Sequence, residues 1–326
     1  MNDLRKYKLS EVNFQRFREL AGQAGGIAIT HAKKEFLRRA LAARAGAVGA
    51  ATLEDYYHLI TTDVNREDEL RQLLSKLSVP DTGFFRNLSQ FSVLRKYIIP
   101  ELARRKADEH RVLRFWCAGC STGEEPYSVA MSVLESLPDP GTWKIEILGT
   151  DLSEQALAQA RRGWYPQGRL AKVDRSQRQK YFRRQDGGYQ IAEPAGSLVT
   201  FLQHNLVNDP LPIEVFGTCD VIFCRNVVIY FTHTTARCVI EHFFDILNPG
   251  GYLFLGHSET LWKLSAKYAL VEMGDAFIFR KQLPTSLAGR RFIPERRLRE
   301  AGLPAGIDRD RRVAGSDRRT KQRTTT

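Results

Sequence analysis

The chain has 326 residues, 43% of them hydrophobic, which is enough for one large domain and a smaller one, and no apolar run reaches membrane-spanning length. Its formal net charge is +12, concentrated late in the chain: from Lys281 on there are 13 Lys/Arg against 5 Asp/Glu. Five cysteines in so long a chain make no disulfide framework, and "MNDLRKYKLSEVNF" lacks the apolar centre of a secretory signal, so the expected setting is a reducing cytoplasm.

Residues 1–79 contain no convincing strand and read as an all-helical domain. "VNFQRFRELAGQAG" repeats apolar residues at helical spacing until Gly25-Gly26 stops it. "THAKKEFLRRALAARAG" follows, with Thr30 as its expected cap and Gly46 as its expected end. Phe36, Leu37, Ala40 and Leu41 form the apolar stripe of this second helix; Lys33, Lys34, Arg38, Arg39 and Arg44 form a basic side. The plain reading of that side is a solvated face. The sharper one is a docking surface for an acidic partner, carried by Lys33, Lys34, Arg38 and Arg39. "TLEDYYHLITTD" and "REDELRQLLSKLSV" add two helices.

Pro80 marks the expected start of a second domain, 80–283. After a turn and a helix in "DTGFFRNLSQFSVLRKYIIPEL", strands are expected at "VLRFWC", "KIEILGTD", "VTFLQHN", "CDVIFC" and "YLFLG". Helices are expected between them at "EEPYSVAMSVLESL", "SEQALAQARRG" and "HTTARCVIEHFFDIL". This alternation predicts an α/β fold with a mostly parallel sheet covered on both faces. "YALVEMGDAFIFRK" predicts a terminal antiparallel hairpin through Gly274-Asp275. Residues 164–198 break the alternation and read as a small inserted subdomain, with a helix at "SQRQKYFRR" and short strands in "GGYQIAEPAGSLVTF". Residues 284–326 read as a basic tail that cannot bury a core, hence as disordered.

The chemistry concentrates in "FWCAGCSTGEEPYS", a strand, a small-residue turn and a helix start. Open parallel sheets bind ligands beyond the carboxyl ends of their strands. No lysine follows Gly123, which excludes a triphosphate loop, and the spacing of Gly119 and Gly123 is not that of a dinucleotide turn. Glu124 and Glu125 would repel phosphates. "GCSTG" matches a nucleophile elbow, with Ser121, Asp220 and His257 in order, but no glycine-rich oxyanion loop precedes it. Cys117, Cys120, Cys219 and Cys224 could hold zinc, yet Cys219 and Cys224 bracket an apolar strand, and no metal is expected. A cationic ligand without phosphates fits better: S-adenosylmethionine. A nearby Glu124 suits its positive groups, Gly119 lets the backbone approach, and Asp151, 34 residues after Cys117 in "ILGTDLS", is placed for its ribose. Asp151 could instead cap the following helix, although Ser153 is available for that.

At this point the residues resemble the CheR-type chemotaxis receptor methyltransferases. "TGFFRNLSQF", "FWCAGCSTGEEPYSVAM", "GTDLSEQALAQARRGWY", "CDVIFCRNVVIYF" and "LNPGGYLFLGHSET" match in order, and "GIAITHAKKEFLRRALAAR" with "TLEDYYHLI" is similar to that family's helical domain. The resemblance runs from about residue 10 to 280. It implies S-adenosylmethionine as methyl donor and glutamate carboxylates of receptor helices as acceptors. By motif match it implies Thr82 and Arg86 at the methionine part, Glu124 at the amino-acid end and Asp151 at the ribose. It also implies Asn205 and Leu206 beside the adenine, with Arg225 and Asn226 lining the floor where transfer occurs. Two departures stand out: Pro80 replaces a frequent Asn, and the turn in "RRQDGGYQ" is short, which speaks against tethering to a receptor's end.

A glutamate with reference pKa ~4.3 is ionised at neutral pH, so esterification by direct displacement needs no base. Arg225, Asn226 and Tyr230 are the candidates for orienting the acceptor, Arg225 through its fork. The implied partner is the cytoplasmic helical region of a methyl-accepting receptor, with a regulatory protein as a further candidate. No membrane insertion is expected without a spanning apolar run, and no nucleic acid, because "RNVV" stands where a base-amine methyltransferase carries an Asn/Asp-Pro-Pro-aromatic motif. A donor-binding adaptor without transfer activity is the remaining alternative.

Overall fold

The computed structural model describes residues 7–64, 66–78, 81–107, 111–261 and 263–282. The expected domain start at Pro80, with the departure it carries, and the expected tail, 284–326, lie outside these residues.

Helix α1 (Glu11–Gly25) begins where Ser10 accepts the Asn13 N–H and ends at Gly26, which turns left-handed at φ 68°. Helix α2 (Lys34–Ala47) departs from expectation at both ends. A 3₁₀ turn, His31–Lys33, precedes it, Thr30 makes no capping bond, and the helix runs through Gly46. Helix α3 (Leu53–Thr62) opens on a reciprocal cap between Thr52 and Asp55, and α4 (Arg66–Leu77) closes the bundle. Phe14, Phe17, Leu37, Leu41, Tyr56 and Leu74 fill its core. Two positions on α2 differ from the pattern. Phe36 faces solvent at 39% exposure, because the apolar stripe is complete with Leu37, Ala40 and Leu41. Arg44 turns inward, donating to Glu69 at 2.9 and 2.5 Å, while Tyr56 donates to the same carboxylate at 2.7 Å.

The next helical stretch carries a π turn. Helix α5 (Leu88–Val93) passes through Leu94–Ile98 into α6 (Ile99–Lys106), and the π turn sits just before Pro100, which has no N–H to continue an α ladder. Alternation then begins with β1 (Val112–Ala118), α7 (Glu124–Ser136), β2 (Lys144–Asp151) and α8 (Glu154–Arg162). The insert follows: β3 (Trp164–Pro166), α9 (Arg175–Tyr181), β4 (Phe182–Gln185) and β5 (Gly188–Ile191) make a three-stranded antiparallel sheet in the order β3-β5-β4. "AEPAG" is a one-turn helix, α10 (Glu193–Gly196), not a strand; Pro194 suits a first helical turn. The chain resumes with β6 (Val199–Gln203), α11 (Ile213–Phe216), β7 (Cys219–Cys224), α12 (His233–Ile246), β8 (Leu247–Leu255), β9 (Tyr268–Met273) and β10 (Ala276–Lys281).

Seven strands form one sheet in the order β6-β2-β1-β7-β8-β10-β9. β10 runs antiparallel to both its neighbours, and the pairs from β6 to β8 are parallel. Both faces are covered, which is why the strands read as nearly continuous apolar runs. Phe115, Cys117, Phe223 and Phe254 meet α7 and the α5–α6 stretch; Trp116, Ile222, Cys224 and Leu253 meet α12. From β1 the chain builds outward through β2 to β6, then returns to lay β7 on the other side of β1. That reversal leaves a crevice at the carboxyl ends of β1 and β7.

Candidate functional site

The turn leaving β1 is held from both sides. Gly119, Ser121 and Gly123 are left-handed at φ 78°, 51° and 92°. A Cβ on Gly119 would stand 2.4 Å from Val227 Cγ2, and one on Gly123 would stand 2.7 Å from Ala160 Cβ. These glycines therefore admit the β7 turn and α8, a packing need beyond the approach of a ligand. The Gly119 and Cys120 N–H groups donate to the Thr150 carbonyl at 2.7 and 2.8 Å. Asp151 completes the join: its carboxylate accepts the Ser121 N–H and the Ser153 N–H, each at 2.8 Å. Ser153 caps α8, as the sequence allowed, and leaves Asp151 to the turn. Burial pushes the Asp151 carboxyl up from its ordinary range, against the pull of its backbone donors.

Over this turn lies a cavity of about 420 Å³. Gly119, Asp151, Asn205, Leu206, Arg225, Asn226 and Tyr230 all line it, so the structure brings these expected residues together. Thr82 and Arg86 line a smaller cleft of about 20 Å³ that shares Asp81, Gly119, Arg225 and Asn226 with the cavity and adds Glu125. Glu124 lines neither space. It is 0% exposed, its Oε2 accepts the Thr122 hydroxyl at 2.6 Å, and its Oε1 lies 3.3 Å from Arg169 without a hydrogen bond. The first turn of α7 sends Glu125, not Glu124, to the cleft. Burial raises both carboxyls; Arg225 opposes the rise at Glu125.

The floor, Arg225–Tyr230, is equally constrained. Arg225 is buried, with one guanidinium nitrogen 3.1 Å from Glu125 and another donating to the Arg86 carbonyl at 2.5 Å. Its fork is thus engaged, and only Nε lacks a partner among the described residues. Arg86 itself reaches back to the carbonyl and carboxylate of Asp81, at 2.7 and 2.9 Å. Asn226 is left-handed at φ 60°. Tyr230 stands at the rim, half-exposed, with Lys33 Nζ 5.5 Å from its ring centre.

The helical domain supplies one wall. Gly25, Ile27 and Lys76 line the cavity, Ile27 bridges to Phe231, and the Ala28 N–H donates to the Tyr230 carbonyl at 2.7 Å. Asn205 staples the domains: its Nδ2 donates to the Ala24 carbonyl at 2.7 Å and its Oδ1 accepts the Val207 N–H at 3.0 Å. Arg71 adds a paired contact to Asp209 at 3.1 and 2.9 Å. Sequence reasoning also missed His204, which lines the cavity with Nε2 on the Pro210 carbonyl at 3.1 Å. Only its position after a strand could have suggested it.

Two constellations weighed from the sequence come apart. Asp220 sits at the start of β7, at the opposite end of the sheet from Ser121, and is bound by Lys106. Cys219 and Cys224 lie at opposite ends of β7, and burial raises the thiols of Cys117, Cys120, Cys219 and Cys224. Among the described residues no group of three His, Cys, Asp or Glu could hold a metal. No described helix is long and apolar enough to cross a membrane.

The basic face of α2 is partly paired. Lys34 meets Glu11 at 2.8 Å, while Arg38 and Arg39 meet Glu35 at 2.8 and 3.1 Å and hold its carboxyl down to about 2. Arg39 is the most open of them, with its side chain 72% exposed.

What the site offers is carboxylates, Asp151 at the turn and Glu125 in the cleft, together with a buried Ser121 hydroxyl that has no partner among the described residues. This suits a cationic ligand rich in hydroxyl groups, and S-adenosylmethionine has both properties. Residues 80–277 match the model of the family described as CheR methyltransferase, SAM binding domain, and residues 13–78 match CheR methyltransferase, all-alpha domain. The chain is 34% identical over 259 residues to chemotaxis protein methyltransferase 2 of Vibrio cholerae, covering 79% of this chain and 88% of that one. It is 33% identical over 267 residues to the chemotaxis protein methyltransferase of Escherichia coli, covering 80% and 89%. A further relative, chemotaxis protein methyltransferase 2 of Pseudomonas aeruginosa, is 33% identical over 262 residues, covering 78% and 89%.

Proposed function

The chain belongs to the CheR family of S-adenosylmethionine-dependent methyltransferases, and we propose that it methylates chemotaxis receptors in the cytoplasm, forming methyl esters on glutamate side chains of their helical region. The observation that carries this reading is the meeting of Asp151, the Gly119–Gly123 turn and the Arg225–Tyr230 floor around one cavity. Bound donor supplies an electrophilic methyl group on a sulfonium. Asp151 would hold the ribose, and Leu206 with the Asn205 backbone would border the adenine. Thr82, Arg86 and Glu125 would take the methionine end, with Glu124 behind them holding Thr122. Arg225 keeps Glu125 and the Arg86 segment against the floor, leaving Asn226 and Tyr230 to orient the acceptor.

An acceptor carboxylate is ionised at neutral pH, so the residues have no proton to move. Their work is to align that oxygen and to exclude water around it. Lys33, Lys34, Arg38 and Arg39 would dock the acidic methylation region, with Lys33 nearest the transfer floor and the exposed Phe36 adding an apolar contact. The test is incubation of donor labelled on its methyl group with receptor and with receptor whose acceptor glutamates are changed to alanine. Alkali-labile label on the first alone is expected. Alkali-stable label, or label on nucleic acid, would reject the reading.

A further inference from the structure

The floor segment makes a sharp turn whose shape its own backbone does not fully secure. The Tyr230 and Phe231 N–H groups bond within the segment, to the Val227 and Val228 carbonyls at 3.1 and 3.0 Å. The Asn226 and Ile229 N–H groups end instead on one side chain from another loop, Glu259. Its Oε2 accepts the Asn226 N–H at 2.8 Å and the Gly256 N–H at 2.6 Å; its Oε1 accepts the Ile229 N–H at 3.1 Å. Three backbone donors thus converge on one carboxylate, joining the end of β8 to the turn after β7. The join depends on Gly256 having no side chain. A Cβ there would stand 2.7 Å from Glu259 Oε2 and 2.9 Å from the Asn226 nitrogen.

Glu259 borders neither the cavity nor the adjoining cleft, so it has no direct route to donor or acceptor. What it holds does: Asn226, kept at φ 60°, and the short 3₁₀ turn Val228–Tyr230 both present groups to the cavity. A left-handed asparagine carries a conformational cost that surrounding contacts must over-determine. We infer that Glu259 is a positioning residue for methyl transfer, clamping Asn226 and Tyr230 where the acceptor carboxylate must meet the methyl group. This rests on the reading of Arg225–Tyr230 as the transfer floor.

Glu259→Gln tests the clamp at constant size. An amide has one accepting oxygen and one donating nitrogen, so at least one of the three N–H groups then faces another donor. Four quantities separate positioning from mere folding: kcat, KM for receptor, and the affinity and stoichiometry of S-adenosylhomocysteine by calorimetry. A displaced floor should lower kcat by about 10- to 100-fold. Receptor KM and product affinity should stay within about threefold, and product should still bind every molecule. Gly256→Ala attacks the same join from the other side and should give the same split; it decides the matter if Glu259→Gln does not fold. Wild-type kcat in either folded variant would overturn the inference. So would a loss of kcat matched by an equal loss of binding stoichiometry, which means fewer folded molecules and not slower ones. A wild-type protein that methylates no receptor would instead overturn the proposed function.

Discussion

Two aspartates of one sheet, on the strands β2 and β7 that flank β1, show how a site differs from a scaffold. Asp220, near the start of β7, is 1% exposed and saturated: Lys106 lies 2.6 Å away, Asn248 donates at 2.8 Å and the Arg114 N–H at 3.0 Å. Asp151, at the opposite end of the sheet, accepts two backbone N–H groups, has no cation among its partners, and borders the cavity. One carboxylate is neutralised within the fold. The other has no cation among its described partners and stands beside a space that a cationic ligand can fill. Lys106, Asn248 and Arg114 all bind Asp220 into the fold, whereas the turn beside Asp151 carries a buried Ser121 hydroxyl with no partner among the described residues.

The largest effect should come from breaking the saturated end. Asp220→Ala leaves Lys106 partly buried without its anion and should cost about 3–5 kcal/mol of stability, read from denaturant midpoints. Affinity for S-adenosylhomocysteine in the remaining folded protein should not change; a large loss would erase the distinction between the two ends. Asn205→Ala sharpens it from the site end. That side chain makes two hydrogen bonds, one across the domains, each worth about 1 kcal/mol. Both stability and product affinity should fall, because the staple and the cavity wall coincide there. An effect on stability alone would assign Asn205 to the scaffold.

The smallest effect belongs to the docking face, which lies outside both ends. Arg39→Glu reverses an exposed charge and should raise KM for receptor roughly two- to fivefold, with donor affinity and kcat held. Added salt should narrow the gap, since exposed charges are screened over ~8 Å at physiological ionic strength. Equal KM values at low salt would return α2 to a solvated surface.

Much of this was legible in the sequence, for local reasons. The buried strands carry continuous apolar runs, α1 ends at a glycine pair, and the turn after β1 gathers small residues before two carboxylates. Asp151 could be placed because a strand end needs no tertiary information. What escaped depends on approaches between distant segments. Glu259 meets Asn226 across 33 positions, Asn205 meets Ala24 across 181, and Arg44 turns to Glu69 across 25. The choice between Glu124 and Glu125 turned on the rotation of one helical step, and Phe36 on a stripe already complete without it. Asp220 and Ser121 shared a plausible order in sequence but stand at opposite ends of the sheet.

The most direct test is calorimetric titration of wild type, Asp151→Ala and Asp220→Asn with S-adenosylhomocysteine, repeated from neutral pH downward. Removing the Asp151 carboxylate should cost about 1.5–3 kcal/mol of affinity, and Asp220→Asn should bind like wild type. Burial raises the Asp151 carboxyl above its ordinary value of 3.8, so the folded chain holds that proton more tightly than the unfolded one. The stability Asp151 contributes therefore declines as pH rises from 3.8 through the raised value. Product affinity, which needs the ionised form, should fall as pH drops through that same window, in wild type but not in Asp151→Ala. Unchanged affinity in folded Asp151→Ala, or equal losses in the two variants, would contradict the account.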